Sequence, residues 1–340
     1  MGKRHGQRRI SFMLQIFILM NIAIGCQRIE RYKGHEIPDE IHWDIWKLDT
    51  DFCTSIMKKQ NLTAYGLMSD SMAAYYDKNK LDSAFYPIGR SLIDYPFFTQ
   101  SIYYQKATFD KPLVKVRFDD EEIKPFEISF ISNTKEAAVT TAILGEGENQ
   151  SCMIMLFALN SNKWEIENLR IGFFLVEGKD AEDWLKEADK WIEQKDYAMA
   201  SYCTRMCQWL IKPANNFWRY DNESEMMDKM DKLNRKISRY LKPPHQLKEI
   251  DTKPEIRDMT AIISKNKVYP GFVYNTKLLL DDSLAIEREC SKLDVVFASY
   301  FKNMEHDTIF VKIMHHEDPW TEPTKYLMKK RKLDKSLLSN

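Results

Sequence analysis

Lys163-Trp-Glu-Ile-Glu-Asn-Leu-Arg-Ile-Gly-Phe173 decides how the fold is read. Trp164 and Ile166 share one phase of a two-residue period, and Leu169, Ile171 and Phe173 continue on the other. Alternation of this kind marks a strand with one buried face. A slip of one phase marks a β-bulge, which bends the sheet that carries it. Upstream, Cys152 to Leu159 is nearly all apolar, as a strand covered on both faces is. Val139, Thr141 and Ile143 alternate and stop at Gly145-Glu-Gly147. Phe126, Ile128 and Phe130 form another alternating run, and so do Val114, Val116 and Phe118, with the charged turn Asp119-Asp-Glu-Glu122 between them.

Further upstream the period becomes helical. From Glu40, the residues Ile45, Leu48, Phe52 and Ile56 recur three or four apart and share a face, flanked by Trp43 and Trp46. Ser69-Asp70 is an N-cap pair for a second short helix with Met72, Tyr75 and Tyr76. Pro87-Ile-Gly89 and Tyr95-Pro96 are expected to break regular structure. Helices followed by long, bulged antiparallel strands predict an α+β fold, with helices packed on a curved antiparallel sheet.

The helix at 40–60 and the closing Lys163-Trp-Glu-Ile-Glu-Asn-Leu-Arg170 resemble the nuclear-transport-factor-like cone, a cystatin-like α+β fold, over about residues 40–176. That fold hosts enzymes and non-enzymes alike. Its enzymatic members set Asp, His or Tyr inside the cone. Here the segment has no His after His42. Tyr65, Tyr75, Tyr76, Tyr103 and Tyr104 are the candidates to line a pocket, with Asp70 or Asp77 at its mouth. Aromatic residues at such spacings also serve as core.

Downstream, Trp184, Ala188, Trp191, Asp196-Tyr197, Ala200 and Cys207 resemble one tetratricopeptide unit, with Lys195 where a Gly is common. A single unit needs something else to pack on. Glu223 to Leu241 supplies one further helix, with Met227, Met230, Leu233, Ile237 and Leu241 along a face. Pro243-Pro244 reads as a boundary. Beyond it lie strand-like Met259 to Ser264, a turn at Pro270-Gly271, strand-like Phe272 to Leu280, a helix capped by Asp282-Ser283, and a strand through Ile309, Val311 and Ile313. This is a small ββαβ module. His315-His-Glu-Asp318 reads as a solvated strand end, and Met328-Lys-Lys-Arg-Lys332 as part of a basic tail.

The chain begins with Lys3, Arg4, Arg8 and Arg9, no acid, and the 16-residue apolar run Ile10–Gly25. A spanning helix wants roughly 20 apolar residues, whereas a basic start and a short apolar run describe a secretory signal. Its end, Ala23-Ile24-Gly25-Cys26, resembles the lipobox of bacterial lipoproteins. The resemblance implies cleavage before Cys26 and acylation of its thiol and amine. Several acyl chains anchor a protein stably where one does not.

The body behind the leader holds 46 basic and 50 acidic residues, which gives no electrostatic case for nucleic acid. Cys53, Cys152, Cys203, Cys207 and Cys290 are too sparse and odd in number for a disulfide framework. No catalytic residue, metal site or cofactor is assigned. The expected organisation is a signal peptide (1–25), a tether (26–39), a cone-like α+β domain (40–176), a helical tetratricopeptide-like region (177–243), a C-terminal α+β module (255–325) and a basic tail (326–340). The expected role is that of a bacterial envelope protein, membrane-held by lipid on Cys26, which binds a ligand or another envelope protein without catalysis. One alternative is a small-molecule enzyme or binder using the cone. Another is a secreted eukaryotic glycoprotein using the sequons at Asn61, Asn149 and Asn222, with Cys26 incidental.

Overall fold

The computed structural model describes residues 28–94, 98–119, 124–145, 147–241, 245–264, 267–303, 308–315 and 326–333. The protein is of mixed α+β class and divides into two compact units. Unit 1 takes the described residues of Met1–Leu144, Cys152–Ile171 and Ala214–Trp218; unit 2 takes those of Gly145–Ser151, Gly172–Pro213 and Arg219–Asn340.

Unit 1 opens with strand β1 (Ile29–Lys33) and helices α1 (Asp39–Met57), α2 (Asn61–Tyr65), α3 (Asp70–Ala73) and α4 (Leu81–Asp94). Strands β2 (Phe98–Ala107), β3 (Leu113–Phe118), β4 (Phe126–Ile131), β5 (Glu136–Leu144), β6 (Gln150–Asn160) and β7 (Lys163–Leu175) follow. The main sheet has the order β1-β2-β5-β6-β7. One face receives the helices: Ile45, Phe52 and Ile56 of α1 and Phe85 and Leu92 of α4 form one core with Tyr104, Ala142, Met153, Met155 and Phe157 of the sheet. The opposite face is buried too, with Val139, Ile154 and Leu156 at 2 % exposure or less.

Over β2 on that second face lies the β3–β4 hairpin, which forms a separate sheet ordered β3-β4-β8 with strand β8 (Trp218–Tyr220). Val114, Val116 and Phe118 are buried while Leu113, Lys115 and Arg117 are exposed, the alternation of a strand with one face covered. Phe118 meets the edge of Tyr103 at 4.8 Å, and Gln105 donates through Nε2 to the Leu113 carbonyl at 3.2 Å. Unit 1 is therefore layered as helices, five-stranded sheet and short sheet. Along β7, Ile166 and Leu169 are both buried although three apart. Its Ile166 backbone is bridged by Leu67 and Ser69.

Unit 2 contains the antiparallel helices α5 (Ala181–Glu193) and α6 (Tyr197–Ile211). Asp180 and Asp196 cap their N-termini by accepting from Glu182 N and Asp183 N, and from Met199 N. The link between them places Lys195 at φ +59°, a left-handed conformation that favours Gly. Helix α7 (Glu223–Ile237) packs on both. Gly172 lies so close to Pro213 that a Cβ on it would sit 1.7 Å from the Pro213 carbonyl oxygen; only glycine allows this crossing.

The unit continues with β9 (His245–Gln246), β10 (Glu255–Ser264), β11 (Lys267–Thr276), helix α8 (Ser283–Tyr300), β12 (Thr308–His315) and β13 (Tyr326–Lys332), in the sheet order β13-β12-β11-β10-β9. β11 and β12 are parallel, so a crossover must join them. α8 supplies it, burying Ile286, Cys290, Leu293 and Phe297, the last stacked on Phe272 at 4.0 Å.

Several expectations are corrected. α4 runs through Pro87 and Gly89, because the burial of Phe85 and Leu92 outweighs one lost backbone bond, and Gly89 allows close approach to Ile56. The alternating strands do not form one sheet: β3 and β4 fold across the others, and β2, which shows no alternation, takes their place beside β5. Residues 29–33 of the expected tether form β1, hydrogen-bonded to β2. Pro270 and Gly271 lie inside β11 rather than at a turn; pairing with β12 begins only at Gly271, so the missing N–H of Pro270 costs no ladder bond there. The expected basic tail supplies β13, so the module reads ββαββ; Arg331 is drawn in by Asp294 and Glu287. The helical region 177–243 and the 255–325 module fall in one unit. The leader 1–25, Cys26, Pro243-Pro244 and His316-Glu-Asp318 lie outside the described residues.

Candidate functional site

The five tyrosines expected to line a pocket do not meet in one. Tyr104 is 3 % exposed, stacks on Tyr32 at 5.6 Å and donates to Glu136 Oε2 at 2.6 Å. Tyr103, its neighbour on β2, points to the other face of the sheet, against Phe118. Tyr65 and Tyr76 pack on the helix-side core, Tyr76 against Phe85 at 5.5 Å. Tyr75 is 88 % exposed. Asp70 and Asp77 are exposed, and Asp77 accepts from Asn79 N at 2.9 Å. The space between helices and sheet is occupied by the unit's own side chains.

Unit 2 has a groove of about 250 Å³ where α6, the end of α7, β10 and the end of α8 come together. Its floor is apolar, with Ile237, Ile256 and Met259 all buried. Polar groups ring it: Ser201 from α6, Asn234 and Ser238 from α7, His245 from β9 and Asp258 from β10. Ser201 and Arg205 are four apart on α6, and so are Asn234 and Ser238 on α7, so each pair shares a helix face. Asp258 owes its place to a register shift between Ile256 and Asp258 in the β10–β11 ladder. A bulge turns the next side chain onto the face its neighbour would take. The Arg205 guanidinium holds both Asp258 oxygens, at 2.8 and 2.9 Å. The aromatic rim is Tyr300, whose phenol burial pushes upward in pKa, with the Glu249 charge adding to it, and Tyr240, which stacks on Tyr197 at 4.0 Å.

Ligand pockets run from roughly 300 to 1,000 Å³, so this groove suits a short apolar group with a polar end. The sequence did carry a signal for it. Ile256 and Met259 are three apart on a strand, the same phase slip that was read on β7. A second hollow in unit 1, of about 430 Å³, lies at the end of α1 between Ile56, Met57, Phe85 and Tyr86. Its polar pair is already joined, with Asn61 Nδ2 donating to Asp82 Oδ1 at 2.6 Å.

That same bond engages the atom a glycan on Asn61 would occupy, and Asn149 accepts from Glu177 N at 2.9 Å. Cys53, Cys152, Cys203, Cys207 and Cys290 are all buried. Burial, then the Asp180 charge, pushes the Cys207 thiol up to about 12, and burial raises Cys53, Cys203 and Cys290 as well. Such thiols are inert rather than nucleophilic at neutral pH. Among the described residues no three His, Cys, Asp or Glu side chains are grouped to hold a metal ion, and no helix is long and apolar enough to cross a membrane.

No protein-family model, curated protein or solved structure matches the chain.

Proposed function

We propose that the chain is a lipid-anchored protein of a bacterial cell envelope, held through Cys26, whose folded body binds a ligand or an envelope partner without catalysing a reaction. The observation that carries the reading is the leader: four basic residues, a 16-residue apolar run too short to span, and Gly25-Cys26 at its end. The groove over α6 and β10 is the binding element. Its size and its apolar floor under a polar ring favour a side chain of a partner or a small molecule of similar bulk.

At the level of modules, unit 1 is a filled variant of the cystatin-like cone. The packing of α1 and α4 on the β2-β5-β6-β7 sheet supports this. α5 and α6 are a tetratricopeptide-like hairpin, supported by the full burial of Ala188 and Ala200 and by Trp184 edge-on to Tyr202 at 5.7 Å. α7 and β10 take the place of the stacked repeats such a hairpin ordinarily needs.

The reading is tested by expressing the wild type and Cys26→Ala in a bacterial host fed a fatty-acid label. The wild type is expected in the membrane fraction, labelled, and retained as precursor under globomycin. Cys26→Ala is expected unlabelled and released. Unchanged membrane fractionation of Cys26→Ala refutes the anchor.

A further inference from the structure

Whatever precedes Arg28 leaves unit 1 at one end of its main sheet. Arg28 N donates to Thr108 Oγ1 at 3.0 Å, Thr108 N returns a bond to the Arg28 carbonyl at 3.1 Å, and Ile29 pairs with Ala107 at the last position of β2. Two connections meet at this end. The turn from β2 to β3 passes through residues 108–112, and the turn from β4 to β5 through residues 132–135, tied by Ala107 N to the Lys135 carbonyl (2.8 Å) and Ser132 N to the Pro112 carbonyl (3.1 Å).

At the same end two aliphatic side chains face outward from the short sheet. Leu113 and Ile131 are register partners, 49 % and 66 % exposed. Gln105 Nε2 bonds the Leu113 carbonyl, and Gln105 is two residues from the end of β2, so the pair stands only roughly 7 Å along the strand from where the chain enters. Lys111, Lys135 and Arg28 are exposed around it. The carboxylates there are Asp110, 3.8 Å from Lys135, Glu30, 3.1 Å from Arg28, and Glu167, which accepts from Asn133 in the β4–β5 turn. Glu136 is already engaged by Lys106 and Tyr104. The end thus carries two exposed aliphatic groups inside a basic fringe.

We propose that this end of unit 1 rests on a phospholipid surface, with Leu113 and Ile131 entering the acyl boundary and Arg28, Lys111 and Lys135 against the headgroup phosphates. The inference rests on acylation at Cys26. Only Gln27 separates Cys26 from Arg28, and an extended chain covers at most about 3.6 Å per residue. An acylated Cys26 therefore holds this end within roughly a nanometre of the headgroups. Apolar side chains over a basic polar fringe are the composition that binds at such a boundary. The strands β1 and β2 then stand away from the bilayer, and the far end of β3, at Arg117, points off it.

The test uses the full-length, acylated protein in vesicles of phosphatidylethanolamine and phosphatidylglycerol. Leu113→Cys, Ile131→Cys and, at the far end of β3, Arg117→Cys are each labelled with an environment-sensitive fluorophore; the native thiols are buried. The expected result is a blue shift and at least threefold stronger quenching by spin-labelled lipid at 113 and 131 than at 117. An anchored protein with equal, weak quenching at all three positions overturns the docking face and leaves the anchor standing. Protection of 113 and 131 from labelling in native membranes without lipid quenching assigns the face to a protein partner and also overturns it. A chain recovered without acyl groups at Cys26 overturns both readings.

Discussion

Both units lay helices on a sheet, yet they treat the space between differently. In unit 1, Phe52, Phe85, Met153, Met155 and Phe157 fill it, each at 1 % exposure or less. In unit 2, the junction of α6 and α7 with β10 stays open above Ile256 and Met259. The contrast follows from the strands. β5 and β6 are buried on both faces, whereas β10 bulges at Ile256/Asp258 and turns a carboxylate toward its helices. The β2–β5 ladder of unit 1 also shifts register, between Thr99 and Ser101, without opening a groove; what sets β10 apart is the carboxylate at its bulge, held by Arg205.

One substitution made in both places separates the two interiors. Met155→Ala is expected to cost about 4 kcal/mol, since the cavity it leaves is enclosed, and Met259→Ala about 2 kcal/mol, since the groove is already open beside it. Urea unfolding of the two variants decides; equal losses contradict a filled interior in unit 1.

The second comparison lies within unit 1, between two glutamates whose shifts oppose. Burial pushes the Glu136 carboxyl up, but donation from Lys106 and Tyr104 outweighs it and holds it below the ordinary value. Its stabilisation is present above the unfolded value near ~4.3 and is lost as pH falls through the lowered folded value. Burial raises Glu167, which among the described residues accepts from Asn133 and keeps one oxygen buried without a partner. A raised carboxyl favours the folded state at acid pH and opposes it once ionised. At pH 7, Glu136→Gln is expected to lose about 1 kcal/mol and Glu167→Gln to gain about as much. The Glu167 difference shrinks as pH falls through its raised folded value and is gone below the unfolded value near ~4.3, whereas the Glu136 difference begins to shrink only below ~4.3. Thermal melts at pH 7 and pH 3.5 measure this, and shifts of the same sign at pH 7 contradict the assignment.

The smallest effect belongs to the α5–α6 link. Lys195 at φ +59° holds a conformation that costs a non-glycine residue about 1 kcal/mol. Lys195→Gly is expected to raise stability by about 0.5–1 kcal/mol, seen as a higher urea midpoint for unit 2. A drop would mean that the lysine side chain supplies more than the turn costs.

What could be read in the chain depended on whether one face of an element was covered or two. β3 and β4 alternate because one face meets the main sheet, and α1 shows its stripe through Ile45, Phe52 and Ile56 for the same reason. β2 hid because both faces are covered. Its Phe-Thr-Gln-Ser-Ile-Tyr-Tyr-Gln-Lys-Ala keeps no phase, and Gln105 reads as a surface residue although it is buried and bonded to Arg31 and the Leu113 carbonyl. β1 and β13 read as tether and tail since edge strands rich in charge lack an apolar face. The groove was hidden because it brings Ser201, Asn234, His245 and Asp258 together from four separate elements. Only the bulge beside Asp258 left a trace in the local pattern.

Tethering of this body by lipid at Cys26 is the proposal on which the rest depends. Its most direct test is the mass of the N-terminal peptide from protein extracted in detergent from bacterial membranes. The account predicts a chain beginning at Cys26 and carrying a diacylglyceryl thiol, with or without an acylated amine. A chain beginning anywhere else, or an unmodified Cys26, contradicts it.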